Sequence, residues 1–193
     1  MTDGPFKNAP MPRRWKSYGD ELGCDATSRD ERVKVYCDNV LADMGLKQLA
    51  PLLKELNAYA ERCETHPELF PGVTVDGIIR KHEVAPSVMT LQKNLSVNLS
   101  DKMSVKKALS AAVGSFAGEC LDGSGNRIND ALTSARGRGE MSAAVFAKCK
   151  QRHQETLSCV NKSEFANAVM AGNHQAYKAV RQNTNRADEG PDA

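Results

Sequence analysis

From Ser104 to Val160 the apolar residues keep a helical rhythm that few folds other than a helical one can use. Val105, Leu109, Val113, Phe116, Cys120 and Leu121 fall at steps of three and four, and Ile128, Leu132 and Ala135 resume the same stripe. Ser104 stands where an N-cap belongs. Arg136-Gly137-Arg138-Gly139 breaks the run, and Ser142 opens a second one carrying Val145, Phe146, Cys149, Leu157 and Val160. Two long amphipathic segments joined by about five residues are expected to fold back as an antiparallel pair. The weak point is Asp122-Gly123-Ser124-Gly125-Asn126, because each glycine costs roughly 1 kcal/mol against alanine inside a helix. The stripe nevertheless keeps its phase from Leu121 to Ile128 to Leu132, which favours a continuous or kinked helix over a break.

The remaining segments read as helices that cover this pair. Pro12 suits a first helical turn, and the short helix it opens carries Trp15 and Tyr18 and ends near Gly23. Ser28 and Glu31 have capping-box spacing ahead of Val33, Cys37, Val40, Leu41 and Met44. After Gly45, a third helix buries Leu49, Leu52, Leu53, Leu56, Ala60 and Cys63, so that residues 1–63 form an N-terminal helical hairpin unit. Residues 64–86 are broken by His66-Pro67, Phe70-Pro71-Gly72 and Ala85-Pro86 and read as an irregular linker. Within it Val73 to Val75 suits a short extended piece and Asp76 to Lys81 a helical turn or two. Residues 87–183 form the C-terminal unit, opening with a helix capped by Ser87, and 184–193 form an acidic tail expected to be disordered. A helix from Asn161 or Ser163 ends at Gly172-Asn173, and a last one holds Ala176, Tyr177 and Val180. The fold class is all-α, a multi-helix bundle of about seven to nine helices built as two antiparallel helical hairpins plus short covering helices, with one compact domain overall as the alternative division.

Composition narrows the functional classes. With 40% hydrophobic and 26% charged residues the chain is of ordinary globular composition, and aromatics at 5% leave the core to Leu, Val, Ala and Met. No apolar stretch is long enough for a transmembrane helix, and Met1 to Phe6 has no signal-like apolar core, so a cytoplasmic location and no membrane partner are expected. Six cysteines in such a chain read as reduced thiols, with Cys24 and Cys159, near element ends, the likeliest to react. Residues 101–186 hold thirteen basic and seven acidic side chains, an excess of +6, whereas 187–193 carry only three carboxylates.

No catalytic constellation emerges. Cys149 with His153, and Cys63 with His66, offer metal-ligand atoms, but without C-x-x-C or H-E-x-x-H spacing, and no metal or cofactor is expected. The glycines of 122–127 and 137–139 resemble phosphate-cradling loops only superficially, since neither ends in G-K-[ST]. No G-x-S-x-G elbow occurs. Two surfaces stand out instead. Phe6, Met11 and Trp15 are apolar in a loop-rich context and form a candidate partner surface, although a lone tryptophan flanked by Arg and Lys is more often a packing anchor. Arg136, Arg138, Lys148 and Arg152, around the hairpin turn, are candidate polyanion contacts.

Asp3-Gly4-Pro5-Phe6-Lys7-Asn8 with Arg14-Trp15-Lys16 resembles the opening of a group of small bacterial all-helical proteins. Ser28-x-x-Glu31-Arg32, Pro51-Leu52-Leu53-x-Glu55-Leu56 and Asp188-Glu189-Gly190-Pro191-Asp192 fit the same likeness. The resemblance implies a bacterial cytosolic origin and carries over neither an activity nor a functional residue. The function expected is that of a non-enzymatic interaction or regulatory protein, binding an unidentified protein partner through helical surfaces, with self-association possible. The alternative is a nucleic-acid-binding accessory protein that uses the basic C-terminal half.

Overall fold

The axis of the fold is a single helix, Val105–Gly137, that runs unbroken through the glycine-containing segment. The computed structural model describes residues 11–24, 27–66, 71–82 and 88–172. Among them are eight helices and no strand: α1 (Trp15–Gly23), α2 (Arg29–Asp43), α3 (Leu46–Thr65), α4 (Pro71–Arg80), α5 (Met89–Ser100), α6 (Val105–Gly137), α7 (Ala143–Cys159) and α8 (Lys162–Ala171). The chain is therefore an all-α multi-helix bundle. Phe6, Ser87, the helix expected around Tyr177 and the acidic tail lie outside the described residues.

The helix starts obey local chemistry. Ser28, Ser104 and Ser142 each accept a hydrogen bond from the backbone N–H three residues on, and Asn161 does the same for Glu164. Each cap satisfies one of the backbone donors that a helix N-terminus leaves unpaired. Gly45, at φ 66°, turns the chain sharply between α2 and α3, and Gly172, at φ 64°, ends α8 in the left-handed conformation that glycine takes without strain.

α6 packs against α5, α8, α7 and α3, with its N-terminal portion buried at Val105, Leu109, Val113 and Phe116. α7 returns antiparallel along its C-terminal portion, as the hairpin spacing predicts. Close packing accounts for the glycine at 125. A Cβ there would stand 3.2 and 3.3 Å from the two Leu157 methyls and 3.4 Å from the Tyr36 hydroxyl, so the bare backbone lets α7 and α2 come close. The propensity lost at this position is offset by packing.

One segment departs from the sequence reading. Val73 to Val75 is not extended but lies inside α4, which starts at Pro71. Proline fits the first turn of a helix, and Val75, Ile78 and Ile79 then make a short buried stripe. The end of α4 is tied to α3 where the Glu55 carboxylate accepts from Lys81 Nζ and His82 Nε2, both at 2.7 Å. The N-terminal pair also packs beyond itself: α2 meets α1 and α7 more extensively than it meets α3, and α3 lies mainly on α6 and α8. Both legs of the N-terminal pair are thus held chiefly by other helices. One hydrophobic cluster draws buried residues from all eight helices, with Tyr18, Tyr36, Phe116 and Phe165 its largest fully buried side chains.

Candidate functional site

Where α1, α2, α6 and α7 meet, the core turns polar. His153, fully buried on α7, accepts or donates at both ring nitrogens: Tyr18 Oη lies 2.7 Å from Nδ1, and Nε2 lies 2.9 Å from the Gly125 carbonyl oxygen. A carbonyl can only accept, so Nε2 carries the hydrogen and Nδ1 accepts from the Tyr18 hydroxyl. That tautomer satisfies the neutral ring completely. Burial lowers the His153 pKa below its ordinary 6.5, opposed by the bond to Gly125. Tyr36 donates to the Leu121 carbonyl, and burial raises both tyrosine pKa values well above their ordinary range. Beside them the buried Arg32 donates to the Thr27 carbonyl at 2.9 Å and, more weakly, to Thr156 Oγ1 at 3.4 Å. Cys37, buried below the tyrosines, has its thiol pushed up to about 12, mainly by burial.

Trp15 extends this junction outward. Its ring meets Tyr18 at 5.7 Å and Tyr36 at 5.5 Å in edge-on geometry, a favourable arrangement for aromatic quadrupoles. Its Nε1 donates to Asp43, whose carboxylate also accepts from Arg14 Nε at 2.8 Å and Arg127 Nη1 at 3.2 Å. Asp43 ends α2, where the helix dipole alone would disfavour a carboxylate, and these donors compensate for it.

Outside Trp15 lies a groove. α1 rests on α2 and α7 rather than on α6, and the gap between α1 and α6 leaves a recess of about 360 Å³. Met11, Pro12, Trp15, Gly19 and Leu22 line one wall and Ile128, Ala131 and Leu132 the other, with Arg13 and Lys16 at the rim. Met11 is 38% exposed, Ala131 is exposed and Leu132 is half-buried, so the groove opens to solvent. A second recess of about 310 Å³, on the far side of Tyr36, is crossed by the exposed ion pair of Lys162 with Asp122 at 2.9 Å.

The expected site residues divide accordingly. Met11 lies on the surface as the sequence reading requires. Trp15 does not: at 2% exposed it is a packing anchor, and it reaches the groove only as part of its floor. Of the four candidate polyanion contacts, Arg152, Arg138 and Arg136 each make a bond within the protein. Arg152 donates at 2.7 Å to the Leu22 carbonyl, one of the acceptors left open at the end of α1. Arg138 is paired with Glu140 at 2.7 Å and holds that carboxyl below its usual range. Arg136, exposed, donates to the Met141 carbonyl at 3.1 Å, and Lys148 is half-buried on α7.

The residues considered for metal are not gathered. His153 spends both nitrogens as described, Cys149 faces the Leu22 carbonyl, and no cluster of three or more potential ligands occurs among the described residues. All six cysteines are unbridged, Cys24 being exposed and Cys159 half-buried. No helix among the described residues is long and apolar enough to cross a membrane. Comparison with protein-family models, curated proteins and solved structures finds no match to this chain.

The junction itself had little sequence signal. Tyr18 and His153 stand 135 positions apart, and neither lies in a recognisable motif. The one available hint was that Tyr18 and Trp15, i and i+3, share a helix face with Leu22.

Proposed function

We propose that this chain is a non-enzymatic interaction protein of a bacterial cytosol, holding a protein partner on the α1–α6 face. The observation that carries the reading is the solvent-open apolar groove lined by Met11, Gly19, Ile128 and Leu132 and backed by the Trp15–Asp43 anchor. An apolar recess on rigid elements is what a binding surface requires. The His153–Tyr18 pair supports a structural role rather than chemistry, because its polar atoms are buried and already bonded to one another and to Gly125. The unbridged cysteines suit a reducing compartment. Protein is favoured over nucleic acid because Arg138 is neutralised by Glu140 and Arg152 serves as a cap for α1.

Site-specific photo-crosslinking in cells of the source organism tests this. A photoreactive residue at Ala131, on the groove wall, should give a discrete adduct with a second protein. The same residue at Met89, 70% exposed on α5, should not. Equal adduct patterns from both positions, or none from Ala131, would refute the reading.

A further inference from the structure

We infer that the groove is built for one amphipathic helix of a partner, apolar on the docking side and acidic along its flanks, seated over Gly19. This inference rests on the interaction reading above and specifies the occupant.

Three observations carry it. The first is charge. Among the described residues, the charged ones that line the groove are Arg13 and Lys16, both basic and exposed, and no carboxylate lines it. An apolar floor with a basic rim favours an apolar ligand with acidic flanks.

The second observation is Gly19. It stands in the middle of α1, where glycine costs roughly 1 kcal/mol relative to alanine. A Cβ on Gly19 would meet nothing within 4 Å, as is also true of Gly77, Gly114 and Gly118, but of these Gly19 is the one that lines the groove. Packing among the described residues therefore gives no reason for a glycine here. A missing side chain in the floor of a groove lets another backbone approach closely, as small residues do where helices cross.

The third is shape. The lining residues of α1 recur at Trp15, Lys16, Gly19 and Leu22, a stripe at helical spacing that Pro12 extends ahead of the helix, and those of α6 at Ile128, Ala131 and Leu132. Two helix surfaces separated by an open recess offer a third helix the ridges and grooves of ordinary helix packing.

The test uses the full chain and two designed 18-residue helical peptides with the same Leu stripe, one flanked by Glu and one by Lys. Trp15 is the only tryptophan and lies in the groove floor, so its emission reports occupancy directly when the peptides contain none. The Glu peptide should bind at least about tenfold more tightly than the Lys peptide at low salt, and added salt should narrow the difference. Gly19→Leu should weaken the Glu peptide about tenfold or more with the thermal midpoint held. The double variant Arg13→Glu/Lys16→Glu should reverse the preference between peptides.

Equal binding of both peptides, with both lost in Gly19→Leu, would overturn the acidic-partner assignment and leave the groove as a docking surface. Binding indifferent to Gly19→Leu would overturn the seat over Gly19. Absence of binding by either peptide, while the Ala131 adduct persists in cells, would refute the helical occupant without touching the interaction reading. Binding that appears only when residues 1–9 are removed would identify the chain's own leading segment as the occupant and refute the proposal.

Discussion

At the scale of single residues, His153 makes the sharpest statement. Burial at the four-helix junction disfavours a second proton on the imidazole and outweighs the bond to the Gly125 carbonyl, which favours it. Because burial depresses the folded-state pKa below 6.5, the unfolded chain takes up the proton first as pH falls. The contribution of His153 is therefore complete above about pH 6.5 and is lost progressively below it, toward the lower folded-state value. Thermal midpoints measured between pH 7.5 and 5.5 should fall for the native protein and fall less for His153→Gln, which cannot titrate. Identical pH profiles would show that His153 is not the group responsible. Gly125 is the complementary case. Gly125→Val would place a branched side chain against Leu157 and the Tyr36 hydroxyl, and overpacking of this kind costs about 1–3 kcal/mol. In a chain of this length that loss should appear as a fall in midpoint of roughly 2–4 °C per kcal/mol.

At the scale of elements, the helices follow from caps and periodicity, and their neighbours do not. The stripes of α2, α3, α6 and α7 fix which face of each helix is buried, and Ser28, Ser104, Ser142 and Asn161 fix where four of them begin. α4 was obscured because its proline and two glycines, at 71, 72 and 77, read as loop punctuation, although Pro71 falls at a position that tolerates it. Periodicity also contains nothing about partners, which is why α2 could not be assigned to α1 and α7 in advance. The caps invite a direct check. Ser142 starts α7 within the exposed end of the α6–α7 hairpin, where its Oγ accepts from Val145 N–H at 3.2 Å. Ser142→Ala should cost about 1 kcal/mol in chemical denaturation, with an unchanged denaturant slope. No measurable loss would mean that this end of α7 frays independently of the core.

At the scale of the whole molecule, one hydrophobic cluster joins residues of all eight helices, and α6 touches elements from both halves of the chain. Unfolding followed by far-ultraviolet dichroism and by Trp15 emission should therefore give coincident transitions. Trp15 reports the α1–α2–α6 junction, while dichroism averages over every helix. Two separated transitions would divide the chain near residues 64–86, where its prolines cluster. The candidate site is a property of this scale as well. Met11 could be singled out from its sequence context, but the groove exists only because α1 lies on α2 and α7 and leaves α6 uncovered along Ile128, Ala131 and Leu132. The basic residues around the hairpin turn were just as visible in the sequence, and the structure commits two of them to Glu140 and Leu22 instead.

Gly19→Leu brings stability and binding into one comparison. Leucine fills open space above the groove floor and is a better helix former than glycine, by roughly 0.8 kcal/mol. Measured together in the variant, the thermal midpoint should stay level or rise while the crosslinked adduct at Ala131 disappears. An adduct of undiminished yield at a raised midpoint would contradict the account, because the notch over Gly19 would then have no occupant.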